Sequence, residues 1–166
     1  MTPLYCTLVF VAAQRLAELA WATRNTARLR RAGAIEADPG GYPFFVALHV
    51  GWLASLVLFV PAAAPVCWPL LGVFAMLQPT RLWVVLSLGR FWTIRVLSLP
   101  GAPLVRTGPY RWLRHPNYLI VMVEIAVLPL AFGAVAIAVA FSALNLALIA
   151  RRITIEDRAL APRQRV

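Results

Sequence analysis

"NYLIVMVEIAVLPLAFGAVAIAVAFSALNLALIAR", residues 117–151, contains one charged side chain, Glu124, before the arginine that closes it. A helix crosses a bilayer with about 20 apolar residues, so this stretch is too long for one crossing. Pro129 and Gly133 punctuate it near the middle, which predicts two spans, 117–133 and 134–151, folded back on each other as a tight hairpin. Working outward, residues 3–22, 44–61 and 66–88 have the same length and apolarity. The fold class this predicts is an all-α integral membrane protein. It has five transmembrane helices, the last two a C-terminal hairpin, in one domain covering residues 1–166.

Composition agrees. Hydrophobic residues make up 61% of the chain and charged residues 13%, with a mean hydropathy of +0.77. A soluble domain is closer to half apolar and a quarter charged, so too little polar surface remains here to cover a globule in water. Cys6 and Cys67 are too few for a disulfide framework and do not form a CxxC pair, so neither a disulfide scaffold nor a zinc site is expected. The N-terminus lacks a basic region followed by a small-residue cleavage site, and residues 3–23 read as a retained span.

The formal charge of +10 raises the question of nucleic acid, and the placement of the arginines answers it. Between the spans, residues 24–43 carry Arg24, Arg28, Arg30 and Arg31, while residues 62–65 carry none. Residues 89–116 carry Arg90, Arg95, Arg106, Arg111 and Arg114, and the hairpin turn again carries none. The tail carries Arg151, Arg152, Arg158, Arg163 and Arg165. Alternation of this kind follows the positive-inside rule. It predicts an N-terminus outside and a C-terminus in the cytoplasm. The arginines then orient the chain and meet anionic membrane lipid headgroups, with neither nucleic acid nor metal as a partner.

Four charged residues remain within spans: Arg15, Glu18, Arg81 and Glu124. Such groups are costly in hydrocarbon and face a bundle interior or a watery cavity. Arg15 and Glu18, three apart, share a helix face and suit an ion pair. Arg81 follows Pro79, which frees a carbonyl in the third span. Glu124, six residues past Tyr118, is placed in the same cavity as the motif before it, as a substrate-binding residue. His49 reads as a packing or cavity-lining residue.

That motif is "GPYRWLRHPNYL", residues 108–119. Gly108-Pro109 makes a turn, and Pro116 suits the first turn of the fourth helix. A helix start presents unpaired N–H groups and a positive dipole end, which suit a carboxylate. Beyond the hairpin, "ARRITIEDRAL", residues 150–160, carries Arg152 and Glu156 at i, i+4 on one face. The two helices are antiparallel, so His115, Tyr118, Arg152 and Glu156 converge where lipid meets cytosol, at the cytoplasmic face. An amphipathic substrate reaches such a place from the lipid and a soluble cofactor from the water.

"GPYRWLRHPNY", a two-span hairpin and "RITIEDRAL" together resemble the isoprenylcysteine carboxyl methyltransferase family. "QRLAELAWATRN", "YPFFVALHVGW" and "LGRFWTIRVLSLPGAPLVRTGPYRW" look like its short bacterial branch, which is associated with O-methylation of alkylpyrones. The resemblance implies S-adenosylmethionine as cofactor and a lipophilic small molecule as substrate. By position it implies cofactor contacts from Ala102, Pro103, Leu104, Val105, Tyr110, His115, Pro116, Asn117, Tyr118 and Glu156. It implies that Arg152 is the catalytic residue that orients the acidic oxygen of the substrate. Where the family often has two adjacent glutamates this chain has Glu156-Asp157.

Two other readings use the same residues. Membrane reductases that use NADPH carry a similar RHPNY-type helix start, and a non-catalytic membrane scaffold would need no cofactor. The scaffold leaves the pairing of RHPNY with R-x-x-x-E unexplained. Titration with each cofactor separates the two enzymes.

Overall fold

A computed structural model describes residues 2–161; Arg163 and Arg165 of the basic tail lie outside the described residues. Five helices follow in order: α1 Pro3–Arg31, α2 Tyr42–Phe59, α3 Trp68–Leu88, α4 Pro116–Ala131 and α5 Val135–Leu160. α1 to α4 each have proline in the first two positions, where the missing N–H is not needed and the fixed φ suits the helix. α1, α2, α3 and α5 are long and apolar enough to cross a membrane, and α4 is a shorter apolar helix of 16 residues. The molecule is an all-α membrane protein.

The hairpin between α4 and α5 closes as the sequence predicts. Pro129 stays inside α4, and Gly133, at φ +71°, makes the turn. Ala134 N–H bonds back to Pro129 O at 2.9 Å and Gly133 N–H to Leu130 O at 3.1 Å. These two bonds and the left-handed glycine terminate the helix as a Schellman motif.

Two helices overrun their expected ends. α1 continues past residue 22 to Arg31 because it is amphipathic there: Arg24 and Arg28 are exposed while Asn25, Thr26 and Leu29 are buried. The Asn25 amide donates to Gly89 O and Trp92 O at 2.9 and 3.0 Å, tying α1 to the end of α3. α5 continues past Arg151 to Leu160, so Arg152, Glu156 and Asp157 stand on a rigid helix and not on a flexible tail.

α4 packs chiefly on α3 and α5. Its inner residues Val121, Ile125 and Leu128 join Leu4, Leu8, Trp52, Leu56, Phe74 and Ile149 in one core. Outward, Leu16, Leu58, Phe59, Met76 and Val139 are exposed, as expected where the surrounding solvent is lipid. Apolar burial does little to hold helices together in such a solvent, so close packing and interhelical hydrogen bonds carry more of the association.

The connector after α3 is pinned at one end of the bundle. β1, Ile35–Glu36, pairs antiparallel with β2, Leu97–Ser98. Glu36 accepts from Arg95 Nη1 at 2.7 Å and also pairs with Arg30. Burial by itself would raise the Glu36 carboxyl, but the two guanidiniums outweigh it and hold the acid below its ordinary range. Asp38 accepts from both terminal nitrogens of Arg151, at 2.8 and 2.9 Å. The connector thus becomes a fixed wall beside the ends of α4 and α5.

Candidate active site

Gly108 sets the approach to the site. Its φ of +56° disfavours any other residue, and a Cβ there would lie 2.1 Å from Ser87 Oγ. A 3₁₀ turn over Gly108–Arg111 follows, burying Pro109. The chain then enters α4 with His115 immediately before Pro116, and Tyr118 N–H bonds to His115 O at 3.1 Å. On α5, Asn145, Ile149, Arg152 and Glu156 recur at spacings of three and four residues, so they share one inward face.

A cavity of about 620 Å³ lies between the connector and these two helix ends. Tyr118 is its hub. The hydroxyl donates to Glu156 Oε2 and accepts from Arg152 Nε at 2.8 Å. Arg152 Nη2 donates to Ile94 O at 2.9 Å, and the guanidinium lies over the Phe45 ring, 4.9 Å from its centroid. Arg152 is 9% exposed, and its Nη1 has no hydrogen-bond partner among the described residues. The His115 ring stacks on Tyr118, with centroids 5.3 Å apart, and its Nε2 is 3.1 Å from Asp157 Oδ1. Burial pushes the Tyr110 phenol up, the Glu156 charge pushes it further, and Arg81 offsets part of this. Tyr110 therefore stays neutral around pH 7.

Of the residues singled out by sequence, Leu104, Val105, Tyr110, His115, Asn117, Tyr118, Arg152 and Glu156 line this cavity. Ala102, Pro103 and Pro116 are not among its lining residues, and Pro116 is buried in the start of α4. Glu124 is a correction, since it does not line the cavity either. It is 1% exposed and accepts from Arg15 Nη2 at 2.6 Å, Arg81 Nη1 at 3.3 Å and Gln78 Nε2 at 3.1 Å. The reason is depth: Glu124 shares a helix face with Asn117 but lies seven residues, about two turns, further along α4, where Arg15, Arg81 and Gln78 take it.

Sequence reading missed Asp157 as a partner of His115, and the i, i+1 acids at the family's paired-acid position were the available signal. It also missed Ile94 O and Phe45, which hold Arg152 through folding and leave no local pattern. The Arg15–Glu18 pair is present at 3.1 Å, but Arg81 completes it, with Nε and Nη2 on the two Glu18 oxygens at 2.7 and 2.6 Å.

A membrane-embedded helical bundle with histidine, tyrosine, arginine and two acids gathered at one boundary cavity has the parts of a membrane enzyme. Residues 70–162 match the model of the isoprenylcysteine carboxyl methyltransferase family. The chain belongs to that family, and it is a membrane methyltransferase in kind. It is also similar to the uncharacterized protein YpbQ of Bacillus subtilis (strain 168), with 38% identity over 152 residues that cover 89% of this chain and 90% of that one. No solved structure matches it significantly.

Proposed function

We propose that the chain is an S-adenosylmethionine-dependent O-methyltransferase. Its acceptor is the acidic oxygen, carboxylate or enol/phenol, of a lipophilic molecule such as an isoprenylcysteine or an alkylpyrone. The observation that carries this reading is the Tyr118 hydroxyl, which joins Arg152 to Glu156 on the wall of one cavity. An anion-orienting group and a cation-binding group are thereby held side by side.

The cavity is within the size range of cofactor sites, about 300–1,000 Å³. Its donor set also fits the proposed cofactor. Glu156 and Asp157 supply carboxylates for an ammonium or for ribose hydroxyls, and Asn117 supplies an amide. Tyr110, Leu104 and Val105 supply apolar and ring surface beside them. When bound, the cofactor supplies an electrophilic methyl group on a sulfonium.

The remaining work falls to the chain. In-line displacement depends on placing the attacking oxygen at a near-attack distance and angle. Arg152 Nη1, without a partner among the described residues, is free to aim an acceptor oxygen, while Nε and Nη2 brace the side chain. A carboxylate or acidic enol is already anionic at neutral pH, so a strong general base is not required. His115, tied to Asp157 and stacked on Tyr118, binds and shapes the pocket.

Isothermal titration should show micromolar binding of S-adenosylmethionine and none of NADPH, and tritiated methyl should pass to a lipophilic acid. NADPH binding without S-adenosylmethionine binding would instead favour a reductase. We also propose an N-outside, C-inside orientation in a bacterial plasma membrane with the cavity on the cytoplasmic side, supported by the arginine alternation. Reporter fusions at residues 63 and 105 should read outside and inside, and a cytoplasmic signal at 63 would overturn it.

A further inference from the structure

A buried charge network lies directly behind the cavity wall, and its geometry dictates the orientation of one lining residue. Arg81 is 5% exposed and Glu124 is 1% exposed. A guanidinium has five N–H donors in one plane and no acceptor. Two of the three Arg81 nitrogens are taken by Glu18, Nε on Oε1 at 2.7 Å and Nη2 on Oε2 at 2.6 Å. This fork-to-fork pairing fixes the plane of the group. The third nitrogen, Nη1, is 3.3 Å from Asn117 Oδ1 and 3.3 Å from Glu124 Oε2. Asn117 and Glu124 are seven residues apart on α4, about two turns, so one guanidinium meets both. Arg15 holds Glu124 and Glu18 from the other side, at 2.6 and 3.1 Å.

A carboxamide turns its oxygen one way and its N–H₂ the other. Arg81 can only donate, so Asn117 must give it Oδ1. Asn117 also lines the cavity, and its Nδ2 has no partner among the described residues. A flipped amide would set two donors against each other. We infer that Arg81, locked by Glu18, is a positioning residue that holds the Asn117 carboxamide with its N–H₂ toward the cavity, as a donor to the methyl-donating cofactor. The inference rests on the methyltransferase reading above and assigns the intramembrane charges a part in cofactor affinity.

The test is a double-mutant cycle read by titration of S-adenosylmethionine into the full-length protein in nanodiscs. Asn117→Ala should weaken binding roughly tenfold, the loss of one net hydrogen bond. Arg81→Met combined with Glu18→Met removes one positive and one negative charge together, and should weaken binding by a similar factor. All three changes together should cost no more than either alone, because they remove the same donor. Additive losses would overturn the inference, since a merely structural network would act independently of Asn117. Thermal unfolding of Asn117→Ala supplies a second readout. Arg81 keeps both Glu18 contacts and Glu124 in that variant, so thermal stability should hold while cofactor affinity falls. Wild-type affinity in Asn117→Ala would also overturn the inference. No binding to the wild-type protein would overturn the proposed cofactor itself, a result distinct from binding with additive losses.

Discussion

Arg152→Ala is expected to lower the single-turnover rate of methyl transfer by roughly 10- to 150-fold, the loss of one charge-assisted hydrogen bond of about 1.5–3 kcal/mol. Cofactor affinity should change little. The asymmetry follows from the hub. With Arg152 gone, Tyr118 still donates to Glu156, so the cofactor side of the cavity keeps its anchor. The acceptor oxygen loses its guide. Arg152→Lys should rescue poorly. The guanidinium addresses Tyr118 and Ile94 O with two separate nitrogens, at 2.8 and 2.9 Å, and the third has no partner among the described residues. A single ammonium cannot reach three directions in one plane. Glu156→Ala and His115→Ala should show the opposite pattern, with weakened S-adenosylmethionine binding. Titration and single-turnover transfer on the same purified variants decide between the roles. Loss of cofactor binding in Arg152→Ala with retention in Glu156→Ala would reverse the assignment.

The largest effect on stability is expected at Arg81. Arg15, Arg81, Glu18 and Glu124 form a neutral set, two positive and two negative, across α1, α3 and α4. Arg81→Ala leaves two carboxylates facing one guanidinium among buried side chains. Breaking a buried pair in this way costs about 3–5 kcal/mol, because the abandoned charge cannot be solvated. Arg81→Met with Glu18→Met preserves neutrality and should be milder. Unfolding in mixed micelles by increasing dodecyl sulfate, followed by tryptophan fluorescence, measures both. A loss under about 1 kcal/mol for Arg81→Ala would indicate that water reaches the cluster, since exposed ion pairs contribute only that much.

The same residues mark the boundary between local and tertiary information. Five helices and the α4–α5 hairpin were legible because apolar length, proline and glycine are local signals, and the hairpin turn falls at Gly133 as read. The convergence of His115, Tyr118, Arg152 and Glu156 was legible because an antiparallel hairpin brings its two ends together. The end of α1 was not, because residues 24–31 remain helical with Asn25 bonded to Gly89 O and Trp92 O and with Leu29 buried. Glu124 was misplaced because its depth, about two turns past the lining residue Asn117, puts it among Arg15, Arg81 and Gln78, which come from other helices.

Sequence by itself determined that this chain spans membranes as helices, where its hairpin turns and at which end His115, Tyr118, Arg152 and Glu156 gather. Each of these follows from apolar length, helix-breaking residues and charge along one segment. Only the tertiary structure decided which buried charges meet. Arg81 finds Glu18 63 residues away and Glu124 43 residues away. Partner choice across helices depends on their azimuth and depth, which no single segment encodes. The free energy of leaving a charge unpaired in lipid selects the arrangement in which Arg15, Glu18, Arg81 and Glu124 neutralise one another. That arrangement places Arg81 behind Asn117.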